Sequence, residues 1–168
     1  VLEITHRAFA MNESKTYLVE PYCVKLSGGR WYMLARSVEK GRLLLYSLDR
    51  LEHVRTTEQK FELPRDFVAK DYFADFFGIV IDENVPLQRI VLRADKYHQY
   101  YMRTLPMHHS QRELFSCDDY ADFELTLRPT YDFYMRLMSW GNMIKVLEPQ
   151  SLQDELRKWL RKTMEVYE

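Results

Sequence analysis

Apolar and polar residues follow one rhythm in the first half of the chain and another in the second, with the change near residue 87. Short apolar or alternating runs at 2–9, 16–26, 31–37, 43–47 and 51–55 predict five antiparallel strands. Polar turns separate them: Met11 to Ser14, the Gly28-Gly29 pair that signals a two-residue hairpin, and Glu39-Lys40-Gly41. From Trp31 to Ala35 the large residues run without a break, which suits a strand buried on both faces or one closing a small barrel. Pro21 argues for an edge or a bend in the second strand. Five short strands at this spacing predict a small closed or half-open barrel.

A short helix is predicted from Pro64-Arg65-Asp66, with Phe67, Tyr72, Phe73, Phe76 and Phe77 as an aromatic plug against the barrel and Gly78 as its stop. Residues 79–86, centred on Asp82, Glu83 and Asn84, read as a linker between a domain at 1–78 and another at 87–168. Strands are predicted at 87–92, 109–117, 122–127 and 143–147, and helices at 95–105 and 130–140. The first helix sets Tyr97, Tyr100, Tyr101 and Leu105 on one side, and the second has Thr130 as N-cap and Gly141 as stop. Ser151 is expected to cap a final helix that places Leu152, Leu156, Trp159, Leu160 and Met164 at core spacing. The order βαββαβ plus a C-terminal helix predicts a ferredoxin-like split βαβ domain, so the fold class is α+β.

Composition supports globular domains. The chain has 168 residues, 46% hydrophobic and 14% aromatic, enough for a core, and no repeat or low-complexity segment. No apolar run reaches the roughly 20 residues of a membrane span, and no signal-peptide pattern opens the chain. Cys23 and Cys117 lie far apart in strand-like contexts, which points to reduced, buried thiols and a cytoplasmic location.

Charge changes this picture locally. The net charge is -1, yet 25–55 holds seven basic residues (Lys25, Arg30, Arg36, Lys40, Arg42, Arg50, Arg55) against three acidic ones (Glu39, Asp49, Glu52). Interleaved with Trp31, Tyr32 and Tyr46, such an island suits a surface that stacks bases and pairs phosphates. The same composition also fits core aromatics ringed by solvated edge charges.

Catalytic signatures are missing: GxGxxG, the Walker loop, GxSxG and HExxH do not occur. His108 and His109, adjacent on a predicted strand, point to opposite faces and do not share a metal easily. Neither cysteine has a local base, and the pairs Asp82-Glu83 and Asp118-Asp119 fall in turns. No metal and no cofactor are expected. His109, Ser110 and Gln111 form a secondary candidate site, or a cap on the turn after Pro106.

Arg30-Trp31-Tyr32-Met33 followed by Ser47-Leu48-Asp49-Arg50-Leu51 resembles the signature of the WYL-domain family, with Met33 where the naming leucine usually stands. Pro21-Tyr22, Thr56 to Phe61, Pro64 to Phe67, His109-Ser110-Gln111 and Gly141 to Pro149 extend the resemblance over nearly the whole chain. It implies an Sm-like, SH3-like barrel followed by the family's C-terminal extension. It also implies the effector-sensing part of a bacterial transcriptional regulator rather than an enzyme. The ligand class it supports best is single-stranded nucleic acid or a nucleotide-like effector. In that role Arg36, Arg42 and Arg50 pair phosphates, Tyr32 and Tyr46 stack or donate hydroxyls, and Asp49 orients Arg50 or receives a base edge. Trp31 alternates with Tyr32 and is read as core.

A homodimer is expected, and operator DNA only through an N-terminal helix-turn-helix. No such pattern occurs here, and Val1 at the start points to a cut from a longer protein. Two further classes stand beside this reading: a dimerisation scaffold without a ligand, and an enzyme for which no constellation is seen.

Overall fold

The computed structural model describes residues 1–7 and 13–168. The predicted extension of the first strand to Phe9 and the start of the turn at Met11 lie outside the described residues. Two compact units divide the chain, Val1–Tyr72 and Phe73–Glu168.

The first unit is an antiparallel sheet of β1 (Leu2–His6), β2 (Lys15–Ser27), β3 (Arg30–Ser37), β4 (Leu43–Ser47) and β5 (Leu51–Thr56), in the order β4-β3-β2-β1-β5. α1 (Ala69–Tyr72) follows. β2 is long enough, at 13 residues, to pair with β1 through its first part and with β3 through its second. Pro21 lies beyond Val19, the last residue of β2 paired with β1, in a part of the strand that pairs with β3 alone and so is locally an edge. A register shift between Pro21 and Cys23 accommodates it, because a bulge leaves room for a residue without an N–H.

β3 buries Met33, Leu34 and Ala35 in succession, as its unbroken apolar run requires. Met33 and Ala35 join Ile4, Val19 and Tyr46 in the core on one face of the sheet. The edge strands β4 and β5 share no ladder among the described residues, so the barrel is not closed by hydrogen bonds. A single 3-10 turn, Leu48–Arg50, nevertheless joins them. At about 2 Å rise per residue such a turn spans only a few ångströms, so the sheet must curl until its two edges nearly meet there.

The second unit pairs β6 (Gln88–Asp95), β7 (Arg112–Ser116), β8 (Tyr120–Leu127) and β9 (Ile144–Glu148) antiparallel in the order β7-β8-β6-β9. α2 (His98–Thr104) follows β6, α3 (Tyr131–Ser139) follows β8, and α4 (Gln150–Glu165) follows β9. Period-two alternation sends Ala121, Phe123, Leu125 and Leu127 of β8 into the core with Ile90 and Leu92 of β6, where Met102, Phe133, Leu137 and Leu152 of the helices cover them. Asp122 and Glu124 point the other way, and Arg93 binds Asp122 through two nitrogens at 2.7 and 2.8 Å. Thr130 takes the N-cap position of α3 without a side-chain cap bond. Pro149, not Ser151, is the N-cap of α4, and Ser151 lies in its first turn.

The predicted aromatic plug is divided between the units. Phe67 meets Tyr22 edge-on at 4.9 Å in the first, whereas Phe77 packs on Phe133 at 5.6 Å in the second. The helix expected across 64–78 is therefore only α1. Residues 79 and 80, expected at the start of the linker, are bonded into the second unit. Asp132 in the first turn of α3 accepts the backbone N–H of Ile79 at 2.7 Å and of Val80 at 2.9 Å.

That carboxylate also fills the space beside Gly78, whose φ is +84°, so a Cβ there would fall inside its van der Waals contact. Gly78→Ala is expected to destabilise the chain by about 1–3 kcal/mol, and Asp132→Ala by about 2 kcal/mol through two lost charge-assisted bonds. Urea denaturation of both single variants and the double variant checks this. The double variant should lose less than the sum, because removing the carboxylate also removes the clash.

Candidate ligand-binding site

The end of β4 and the turn after it assemble a charged side-chain chain. Ser47, the last residue of β4, is fully buried and lies opposite Tyr32 of β3. Its hydroxyl donates to Asp49 Oδ1 at 2.5 Å and accepts from Arg50 Nε at 2.7 Å. Asp49 Oδ2 pairs with Arg30 Nη1 of β3 at 3.2 Å. The Ser47 hydroxyl, joined by the charge of Arg30, holds the Asp49 carboxyl below its ordinary range. Both side chains of the Arg30–Asp49 pair are 49% exposed, so its net contribution to stability is small. Its consequence is geometric: Asp49 and Ser47 together link the side chains of Arg30 and Arg50 at this turn.

His6 closes the inner side of this group. Its ring meets Tyr46 edge-on at 5.7 Å with planes 82° apart. Burial, reinforced by the charge of Arg50 and opposed by that of Asp49, lowers the His6 pKa and favours the neutral ring. Burial raises the pKa of the Tyr46 phenol, which Ser37 partly counters.

Of the six residues predicted to bind ligand, Tyr32, Asp49 and Arg50 come together around Ser47. Tyr46 does not join them. It is 5% exposed and lies opposite Met33, on the core face that Tyr32 avoids. Arg36 shares the face of Tyr32, but its guanidinium meets Glu20 directly across the ladder at 3.2 Å. Arg42 is exposed in the turn before β4 and enters no ion pair among the described residues. Trp31, read as core, is 51% exposed, because β4 reaches only to Tyr32 and, among the described residues, no third strand flanks the tip of the β2–β3 hairpin.

Arg55 pairs with Glu3 at 2.9 Å, so three of the seven basic residues of the island (Arg30, Arg36 and Arg55) are bound to carboxylates. Sequence reasoning missed Ser47 and His6. Serine two residues before an aspartate is the spacing of a short side-chain turn, and it would have shown the first; nothing local to His6 shows the second.

The secondary candidates are structural bonds of the second unit. Ser110 Oγ donates to Thr126 O at 3.0 Å and accepts from Thr126 N at 2.9 Å. Gln111 donates to Met102 O at 2.6 Å and accepts from Met107 N at 2.9 Å, and His109 Nε2 reaches Ala74 O at 2.7 Å. Together they tie the loop before β7 to the end of α2 and to β8. His108 and His109 precede β7 rather than lie on it, and their ring centres are 4.2 Å apart with planes tilted by 42°. Cys23 is half-buried and Cys117 exposed, so neither is the fully buried thiol expected. Among the described residues no three His, Cys, Asp or Glu side chains group as metal ligands, and no helix is long and apolar enough to cross a membrane.

Two antiparallel sheets with four helices make this a two-unit α+β protein with a charged turn site on its first sheet. Residues 1–56 match the WYL domain and residues 86–164 the WCX domain, so the chain belongs to the WYL-domain family. Among solved structures it is similar to the proteasome accessory factor B/C (PafBC) of Arthrobacter aurescens. Identity is 20%, 92% of this chain and 23% of that one are covered, and the TM-score is 0.41. A CRISPR Cas-related protein is 12% identical over 99% of this chain and 47% of that one, with a TM-score of 0.54. The chain thus spans about a quarter and about half of their lengths. No curated protein matches it.

NMR titration of His6 checks the site's electrostatics. Its pKa should lie below 6.5, rise toward that value in Arg50→Ala, and fall further in Asp49→Asn. Because a base with a lowered folded pKa favours folding only while neutral, its contribution is full above about 6.5 and declines as pH falls through the folded value. Asp49, lowered as an acid, adds a contribution lost below its ordinary 3.8.

Proposed function

We propose that this chain is the effector-sensing portion of a bacterial WYL-type transcriptional regulator, and that it takes single-stranded nucleic acid or a nucleotide-like ligand at the Ser47–Arg50 turn. The observation that carries the reading is the chain Arg50–Ser47–Asp49–Arg30. It holds the Arg30 guanidinium on Asp49 and the Arg50 guanidinium on Ser47, on the face of β3 that carries the half-buried Tyr32. A phosphate competes with Asp49 for Arg30 and with Ser47 for Arg50 as a bidentate acceptor, while Tyr32 offers stacking. Arg42 is placed for a more distant phosphate along a strand.

The turn also joins the two edges of the sheet. Drawing Arg50 away from Ser47, or Arg30 away from Asp49, alters how tightly that sheet curls, which supplies two states that a ligand distinguishes. In this reading the first unit is an Sm-like half-barrel and the second a ferredoxin-like domain. A DNA-binding part elsewhere in the full protein receives the change, the protein is cytoplasmic and homodimeric, and no catalysis is involved.

A scaffold reading draws on the pairs Arg36–Glu20 and Arg55–Glu3, which remove two cations from the island. Fluorescence anisotropy with short labelled single-stranded DNA and RNA separates the two. Sensing requires affinity that falls as salt rises, and a further loss of about tenfold or more in Arg30→Ala/Arg50→Ala, in line with the roughly 1.5–3 kcal/mol of a charged hydrogen bond. Absence of binding to either strand at low salt would sink the nucleic-acid reading and leave the scaffold.

A further inference from the structure

An imidazole stands behind the turn that carries Arg50, and one of its nitrogens is enclosed. His6 Nε2 is closed off from solvent and has no hydrogen-bond partner among the described residues. A neutral ring tolerates this, because that nitrogen then carries only a lone pair. A proton added there makes a buried cationic donor without an acceptor, which the surroundings must answer by rearranging.

What faces the ring decides what moves. Among the described residues, Tyr46 of β4 meets it edge-on, Tyr17 of β2 packs against Tyr46, and Lys15 lies directly opposite on β2. Asp49 and Arg50 act on it from the turn, while Leu51, its partner on β5, brings no charge. With the exposed Arg7 next in the chain, cations outnumber the one carboxylate around the ring. The backbone fixes this neighbourhood: the N–H of Arg7 donates to Arg50 O at 3.1 Å, tying the end of β1 to the turn. The Arg50 side chain is bonded at Nε to a hydroxyl, Ser47 Oγ at 2.7 Å, a neutral acceptor that holds a guanidinium less strongly than a carboxylate does.

We infer that His6 couples proton uptake to the turn: charging the ring drives the Arg50 guanidinium off Ser47 toward solvent and leaves Asp49 as the counter-charge of the ring. Like charges separate and unlike ones stay together, while the backbone bond to Arg50 keeps the turn itself in place. The regulation that follows rests on the ligand reading of the turn. An anion held there by the released Arg50 also favours the charged ring, so proton and anion each strengthen the binding of the other, and acid arms the site.

Nitrogen-15 NMR of the wild-type chain without ligand tests the coupling first. As His6 titrates, below 6.5, the Arg50 Nε–H resonance should move with the same midpoint toward that of a solvated guanidinium, for which the exposed Arg42 is the marker. Arg93, held through two nitrogens by Asp122, should stay where it is. His6→Phe keeps a ring edge for Tyr46 but does not titrate, and His6→Gln removes the ring as well; in both, Arg50 should not move, and circular dichroism verifies that they fold. Fluorescence anisotropy with labelled oligothymidylate should then show affinity about fivefold higher near pH 5.5 than near pH 7.5, the larger part of the tenfold that a one-unit rise of the His6 pKa on binding gives in full. The gain should vanish in His6→Phe and persist in His53→Gln, at an exposed histidine of β5.

An Arg50 resonance that ignores the His6 titration, or makes the same transition in His6→Phe, would overturn the coupling. So would an oligonucleotide affinity that rises equally in His6→Phe. Release of Arg50 with no oligonucleotide bound at any pH would leave the coupling standing and remove the ligand reading alone.

Discussion

Three residues, Leu48 to Arg50, carry the chain from one edge of a five-stranded sheet to the other, and most of the first unit follows from that short reach. A flat sheet of five strands would separate its edges by nearly 20 Å, at about 4.8 Å per strand. A three-residue turn does not cover that distance, so the sheet curls. Curling turns one face inward, where Ile4, Val19, Met33, Ala35 and Tyr46 meet. It also brings His6, at the end of β1, against Tyr46 of β4, although three other residues of the core lie on strands between them.

The same turn explains why a charged group sits at a point of structural tension. Ser47 is buried and needs partners for its hydroxyl; Asp49 and Arg50 provide them from two and three residues away. The hydrogen bonds that satisfy this buried oxygen are thus the ones that hold Arg50 and, through Asp49, Arg30 in place. Stability of the turn and presentation of the guanidiniums cannot be altered independently. That coupling is why substitutions here must be read with a measure of folding alongside.

In the second unit, polar bonds again decide orientation where apolar pattern does not. Asp132 fastens residues 79 and 80 to α3, and Ser110 and Gln111 fasten the loop before β7 to β8 and α2. Asp95 and the Arg103–Glu113 pair fix the roll of α2. Asp132 and Ser110 look unremarkable in their local sequence and gain their roles from partners far along the chain, whereas Asp95 acts on its own next turn.

The strands and helices themselves were legible in the order of residues, because period-two alternation in β8 and helical spacing in α4 follow from backbone geometry that neighbours along the chain already impose. The Gly28-Gly29 turn, the inner position of Met33 to Ala35 and the family signature were readable for the same reason. Tertiary structure alone decided which face a residue ends on and which charges meet. Tyr46 went to the core and Trp31 to solvent because of where β4 stops. Arg36 found Glu20 because β2 and β3 pair in one register. The tyrosines of α2 face outward because bonds at its two ends hold it so. These outcomes depend on contacts between residues distant in sequence, and a one-dimensional pattern carries the period of an element but not its rotation or its neighbours.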